Sequence, residues 1–427
     1  MNIFWFRRDL RLEDNHALFR SLENAITLPI FIFDINILQN LEKNDARVSF
    51  IYDTLNIIDV QLKKFGSGLK IFYGKPEEIF KDIINEFKPS GIYLNEDYEP
   101  YAISRDYKIE KLAEESNIRF IKYKDHVIFE KDEILKADRK PFQVFTAYKN
   151  KWLSLFQGTE KFESESLLEK TYKFSSIFPP LESFGFNKSE IKVKPFSFDG
   201  LQNYQDVRDF PAIDKNSHAS VHLRFGTLSV RTAVNEALKV NSVLLNELIW
   251  REFFMQILYH FPYVETESFN PTYRKFEWIY DEFNFEKWKE GRTGYPIVDA
   301  GMRQLNQTGY MHNRVRMIAS GFLCKHLLIN WKWGESHFAE KLLDFDLSAN
   351  NGNWQWAAGT GCDAAPYFRI FNPVTQQEKF DKNFEYVKRW IPEYGTSDYP
   401  DPIIDHKLAR ERALSVFSKS KNEQSIL

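Results

Sequence analysis

Cysteine is nearly absent: the 427 residues hold only Cys324 and Cys362, and neither belongs to a CxxC or Cys/His spacing. A disulfide framework and a structural zinc are thereby excluded, no metal site is expected, and a reducing, cytoplasmic setting is the default. Long apolar runs are missing too. Nothing approaches the roughly 20 residues of a membrane span, and the opening MNIFWFRRDLRLEDN has no basic segment leading into an apolar one, so no membrane association is expected. Net charge is scarce, at a formal −3. A nucleic-acid partner must therefore be met by a local basic patch rather than by global attraction. No GxGxxG follows the first β-rich run, which removes the usual dinucleotide fingerprint.

What is abundant is aromatic: 16% of the chain, with ten Trp and 39 Phe, a composition suited to burying or stacking planar groups. The length suffices for two domains. Over residues 1–130, short β-rich runs (NIFWF, LPIFIFD, LKIFYG, GIYLN, IRFIKY) alternate with helical patterns at His16 to Ala25, Asp45 to Phe65, Pro76 to Phe87 and Pro100 to Ser116. Such alternation predicts a doubly wound parallel sheet, an α/β domain. After the first strand, Arg7, Arg8 and Arg11 lie beside Asp9 and Asp14 and read as an internal salt-bridge knot. Residues 131–202 lose periodicity and read as an interdomain connection laid over the surface. Residues 203–427 read as an all-α domain.

The polar chemistry concentrates in that helical part. In DFDLSANNGNWQWAAGTGCDAAPYFRIFNP, Asp346, Asn350 and Trp354 fall at i, i+4 spacing, on one face of a helix. In MHNRVRM, Asn313 and Met317 are again i, i+4, and Arg316 sits inside an apolar run. A buried Arg needs a carboxylate, and Asp344 and Asp346 are the candidates. In NELIWREFF, Glu247, Trp250 and Arg251 share an aromatic helix. For any single Asn or Trp here, capping or core filling is the more common role; three such helices together point to a site.

The motifs WFRRDLRLEDN, ELIWREF, GRTGYPIVDAGMRQL, MHNRVRM and NNGNWQWAAGTGCDAAPYFRIFNP, in this order, closely resemble the DNA photolyase and cryptochrome family over nearly the whole chain. The resemblance implies an antenna α/β domain followed by a helical domain that binds FAD, in the reduced form FADH− when active. It places Tyr204, Asn216, Ser217 and Ser220 on the phosphate side of the cofactor, with Asn216 where a Thr is usual. Arg251 falls on the flavin side, while Arg316, Asp344, Asp346 and Asn350 fall at the ring-contacting positions. Asn350 corresponds to the residue facing flavin N5, where photolyases carry Asn and plant cryptochromes Asp. A neutral amide there does not readily donate a proton.

The resemblance also sorts the substrate. Class I enzymes for cyclobutane pyrimidine dimers carry Glu, Trp, Asn, Met and Trp at five positions, filled here by Glu247, Trp250, Asn313, Met317 and Trp356. The (6-4) enzymes place two His on the MHNRVRM helix, and neither matching position is His. Phosphate-facing positions fall on Arg208, Arg314, Arg369 and Lys379, and the electron relay on Trp354, Trp331 and Trp278. The implied activity is light-driven repair of these dimers, flipped out of damaged DNA, by a monomer needing no protein partner. In the antenna domain, Arg47, Asp97 and Glu99 look more like deazaflavin- or flavin-binding members than folate-binding ones. Two alternatives stay open: a blue-light cryptochrome photoreceptor, and a (6-4) or single-strand-specific photolyase.

Overall fold

The computed structural model describes residues 1–175 and 177–423. It divides into two compact units, neither continuous in sequence: one comprises Met1–Ile134, Trp152–Ser197 and His218–Leu248, the other Leu135–Lys151, Phe198–Ser217 and the chain from Ile249 onward.

The first unit is built on five strands, β1 (Asn2–Phe6), β2 (Thr27–Asp34), β3 (Lys70–Gly74), β4 (Gly91–Asn95) and β5 (Arg119–Tyr123). They pair in the order β3-β2-β1-β4-β5, every pairing parallel. The five strands expected from the sequence are these. β1, β2 and β4 are buried at every residue, as strands covered on both faces must be. Ile3 lies opposite both Leu28 and Ile92, at the centre of an apolar core that includes Trp5, Ile30 and Phe80. The crossover helices are His16–Asn24, Ala46–Lys63, Pro76–Phe87 and Pro100–Glu115. Their starts are encoded locally: Asn15 accepts a hydrogen bond from the Leu18 N–H, and Pro76 leads a first turn carrying Glu77 and Glu78.

Order β3-β2-β1-β4-β5 reverses direction at β1, and the arginines just past β1 are spent there on internal pairs. Arg7 binds Asp106 at 2.5 Å, Arg8 binds Asp97 and Glu99 at 3.0 Å each, and Arg11 binds Asp125 at 2.7 Å. Arg231 joins the last of these through Asp125 and Asp14. Buried charges of this kind persist because each is matched.

The stretch expected as a surface connection behaves otherwise. It contains a helix, Phe145–Leu155, whose Phe145, Tyr148 and Trp152 are buried. Spacing of i, i+3 and i+7 puts the three rings on one face, a period hidden among the Lys and Ser residues around them.

The second unit is helical, with no sheet among its described residues. Its main helices are Ser242–His260 (shared in sequence with the first unit), Pro296–Thr308, Asn313–Gly321, Trp331–Lys341, Leu347–Ala358 and His406–Glu423. Asn313–Gly321 runs into a wider π turn over Phe322–His326. The core gathers Trp288, Met302, Val315, Phe322, Trp331 and Trp354, so the polar residues of interest sit on elements whose other faces are fixed by packing.

Candidate functional site

Three consecutive helices of the second unit carry the site. Asp346 caps Leu347–Ala358: its carboxylate accepts from the Ala349 N–H at 3.2 Å and from the Ser348 hydroxyl. Aspartate suits this position because the first helical N–H groups lack partners and the helix dipole favours a negative charge. One turn on, Asn350 is buried, and its Nδ2 donates to the Glu335 backbone carbonyl at 3.0 Å. Its side-chain oxygen accepts nothing among the described residues. The neighbouring amides are differently employed. Asn351 and Gln355 both donate to the Val264 carbonyl, pinning the Pro262–Glu265 turn, and Asn353 bonds back to Ala349 on the exposed side.

Arg316 is held by two partners. Its Nε donates to the Met311 carbonyl at 2.8 Å, and its Nη2 reaches Asp344 at 2.9 and 3.2 Å. Asp344 is the carboxylate that pairs with it, so the internal cation is compensated. Glu335, which sequence reasoning missed, belongs to the same neighbourhood. Burial pushes its carboxyl up to about 7, against the lowering effect of a hydrogen bond from Asn351. The signal available in the sequence was its place one turn after Trp331 on a helix with an apolar face.

Trp354 lies against the Trp331–Lys341 helix at Gly334, where an added Cβ would come within 2.1 Å of the indole. Gly334 follows Trp331 by three residues, so Trp354 packs on the turn beside it. Trp331 and Trp354 are both buried in the main core, and Trp278 packs half-buried against that core, touching Phe276 and Phe417.

On the Ser242–His260 helix, Glu247, Trp250 and Arg251 are each half-buried. One face of Trp250 is covered by Phe145, stacked at 3.7 Å and 8°. Phe145 comes from the helix the sequence did not disclose. Asn313 is exposed, and Met317 and Trp356 are half-buried. Arg314 is engaged within the protein: it pairs with Asp209 at 2.8 Å, lies over the Phe380 ring at 4.5 Å, and approaches the Met317 sulfur at 3.8 Å. Arg208 lies 3.9 Å from the same Asp209 carboxylate and over the Tyr204 ring. Asp209 was the unremarked partner of two cations. Arg369 and Lys379 are exposed, Lys379 over the edge of Phe380.

Of the residues assigned to the phosphate side, Tyr204 opens a short helix, Asn216 donates to Asp214 at 3.3 Å, Ser217 is half-buried and Ser220 is exposed. Ser220 falls in the first unit and the other three in the second. In the first unit, Arg47 grips its own helix cap Asp45 at 2.6 Å, Asp97 is taken up by Arg8, and Glu99 by Arg8 and Arg224. No helix among the described residues is long and apolar enough to cross a membrane.

A helical domain that offers a carboxylate acceptor, a compensated guanidinium and a buried amide with an idle oxygen fits an isoalloxazine ring, which presents an N–H donor, carbonyl acceptors and a redox-active edge. Comparison with known proteins agrees. The model described as the FAD binding domain of DNA photolyase matches residues 244–397, and the one described as DNA photolyase matches residues 2–166. The chain is 34% identical to the deoxyribodipyrimidine photo-lyase of Escherichia coli over 98% of this chain and 99% of that one. Against the protein of the same name from Halobacterium salinarum it is 32% identical over 99% and 100%. Among solved structures, a class III photolyase from Agrobacterium tumefaciens matches with a TM-score of 0.88 at 32% identity, over 99% of this chain and 98% of that one. An archaeal photolyase from Sulfolobus tokodaii, solved with two FAD molecules, matches with a TM-score of 0.86 at 36% identity, over 98% and 100%. The fold is that of an FAD-binding α/β-plus-helical protein. The chain belongs to the DNA photolyase family.

Proposed function

We propose that this chain is a light-driven deoxyribodipyrimidine photo-lyase acting on cyclobutane pyrimidine dimers in damaged DNA. The observation that carries the reading is Asn350: a buried neutral amide, its N–H committed to the Glu335 carbonyl and its oxygen idle, at the position the family turns toward flavin N5. When bound, FAD supplies light-driven electron transfer to the lesion. The residues of this chain set its surroundings. Asp346 would accept from the ring N–H, and Arg316, balanced by Asp344, would supply a cation that favours extra negative charge on the ring. Asn350 would keep an acidic proton away from N5. Tyr204, Asn216, Ser217, Ser220 and Arg251 would hold the rest of the cofactor.

Trp250, backed on one face by Phe145, has its other face for a flipped base, with Trp356 as the second wall. Glu247, Asn313 and Met317 contact the lesion, Glu247 by hydrogen bonding. Arg369 and Lys379 take backbone phosphates; Arg208 and Arg314 do so with one of their two positive charges already balanced by Asp209. Trp354, Trp331 and Trp278 would form the relay by which electrons reach an oxidised cofactor. The five lesion-facing residues support a class I reading, and we take the protein to work as a monomer in the cytoplasm without an obligatory protein partner. A deazaflavin or flavin antenna would have to share Asp97 and Glu99 with Arg8. The test is illumination of the reduced holoprotein with dimer-containing oligonucleotide, reading dimer loss; a cryptochrome would bind the cofactor and leave the dimer intact.

A further inference from the structure

Beside the relay residues Trp331 and Trp278, the second unit holds a cavity of about 770 Å³ with no role assigned. Its aromatic walls are Tyr273, Phe276, Trp278, Tyr280 and Trp331. Trp331 is fully buried, Trp278 half-buried, and Tyr280 is 80% exposed, so the cavity runs from the core to solvent. Volumes of this size take drug-sized ligands, and aromatic walls favour a planar ring.

The charged lining selects among planar molecules. Arg274 is paired with Glu267 at 3.1 Å, which cancels both. Lys332 and Glu277 line the same cavity and neither forms an ion pair among the described residues. The four charges sum to zero, so there is no field to hold a polyanion such as a nucleotide. An unpaired ammonium and an unpaired carboxylate instead suit a neutral ring bearing hydroxyls: the ammonium donates to one phenolic oxygen, and the carboxylate accepts from the other O–H.

We propose that this cavity binds a small dihydroxy-aromatic reductant, a quinol or catechol, and delivers its electron to Trp278. The proposal rests on the relay reading of Trp354, Trp331 and Trp278. After the relay has passed an electron inward, the Trp278 indole is left one electron short. The quinol loses one electron to that indole and one proton to Glu277 or water, restoring Trp278 and leaving the neutral radical of the quinol. A second such event, or disproportionation of two radicals, completes oxidation to the quinone.

The test uses FAD-loaded protein and hydroquinone as the probe. In the dark, saturation-transfer NMR of hydroquinone should saturate with concentration. Thr266→Trp, which places a ring at the exposed rim, should weaken binding about tenfold, an energy of about 1.4 kcal/mol. Lys332→Gln should weaken it in the same direction and serves if the first variant folds poorly. Under blue light, the rate of flavin reduction should be hyperbolic in hydroquinone and lose its saturation in Thr266→Trp. No saturable transfer in the dark, saturation untouched by both variants, or a rate strictly linear in hydroquinone would each overturn the proposal. Trp278→Phe with a simple thiol as donor tests the relay separately. If it photoreduces as fast as wild type, the relay reading fails, while dark binding still reports on the cavity.

Discussion

Asn350→Asp concentrates the functional argument into one atom. In the wild type, Nδ2 donates to the Glu335 carbonyl at 3.0 Å inside a buried environment. An ionised carboxylate there faces that carbonyl with an acceptor, so the hydrogen bond is lost and a buried group is left unpaired, at a cost of about 2–3 kcal/mol. A protonated carboxyl keeps a donor and avoids most of that cost. At about 1.4 kcal/mol per unit, the new group's pKa rises by about two units, from about 3.9 to about 6. The sign follows: the folded state holds the proton more tightly than the unfolded one, so the deficit is absent below about pH 4 and complete above about pH 6. Melting curves of both proteins at pH 5 and pH 8 should therefore diverge more at the higher pH. Absorption spectra taken during blue-light reduction with a thiol should change as well, because an ionisable group now faces N5. An equal stability loss at both pH values with wild-type spectra would reduce Asn350 to a packing residue and refute the reasoning.

Other perturbations read other parts of the account. Burial raises the Glu335 carboxyl to about 7, so wild-type stability should fall as pH climbs from about 4.5 to 7, by on the order of 2–3 kcal/mol; Glu335→Gln should flatten that slope in pH-resolved denaturant melts. Arg369→Ala should weaken damaged and undamaged DNA alike and lower the slope of affinity against salt by about one, measured by fluorescence anisotropy; a loss confined to damaged DNA would contradict a phosphate contact. Glu247→Ala should cost more in repair rate than in DNA affinity, and equal losses would remove it from the lesion.

How much of this was legible in the chain varies with the range of the interactions. The strands and crossover helices of the first unit were, because β1 and β2 are continuous apolar runs and the helices carry their own caps at Asn15 and Pro76. The Phe145–Leu155 helix was not, since three aromatic residues at helical spacing among Lys, Asn and Ser give a weak period. The two compact units were drawn from sequence as continuous stretches. In the structure, His218–Leu248 groups with the sheet and Leu135–Lys151 with the helices, an arrangement set by long-range packing. At the site, the need of Arg316 for a carboxylate could be reasoned from its apolar neighbours, and Asp344 meets it. The Asn350 contact could not, because its partner is a backbone carbonyl, which no side-chain pattern announces. Asp209 between Arg208 and Arg314 was hidden because Arg314, its closer partner, lies about a hundred residues away in sequence.

The central claim is that these residues turn light into cleavage of one lesion. Reduced holoprotein, illuminated with blue light, should convert a cyclobutane-dimer oligonucleotide to intact pyrimidines while a (6-4) oligonucleotide and a dark control stay unchanged. Persistence of the dimer under light, with FAD bound and the oligonucleotide still retained by the protein, would contradict the assignment.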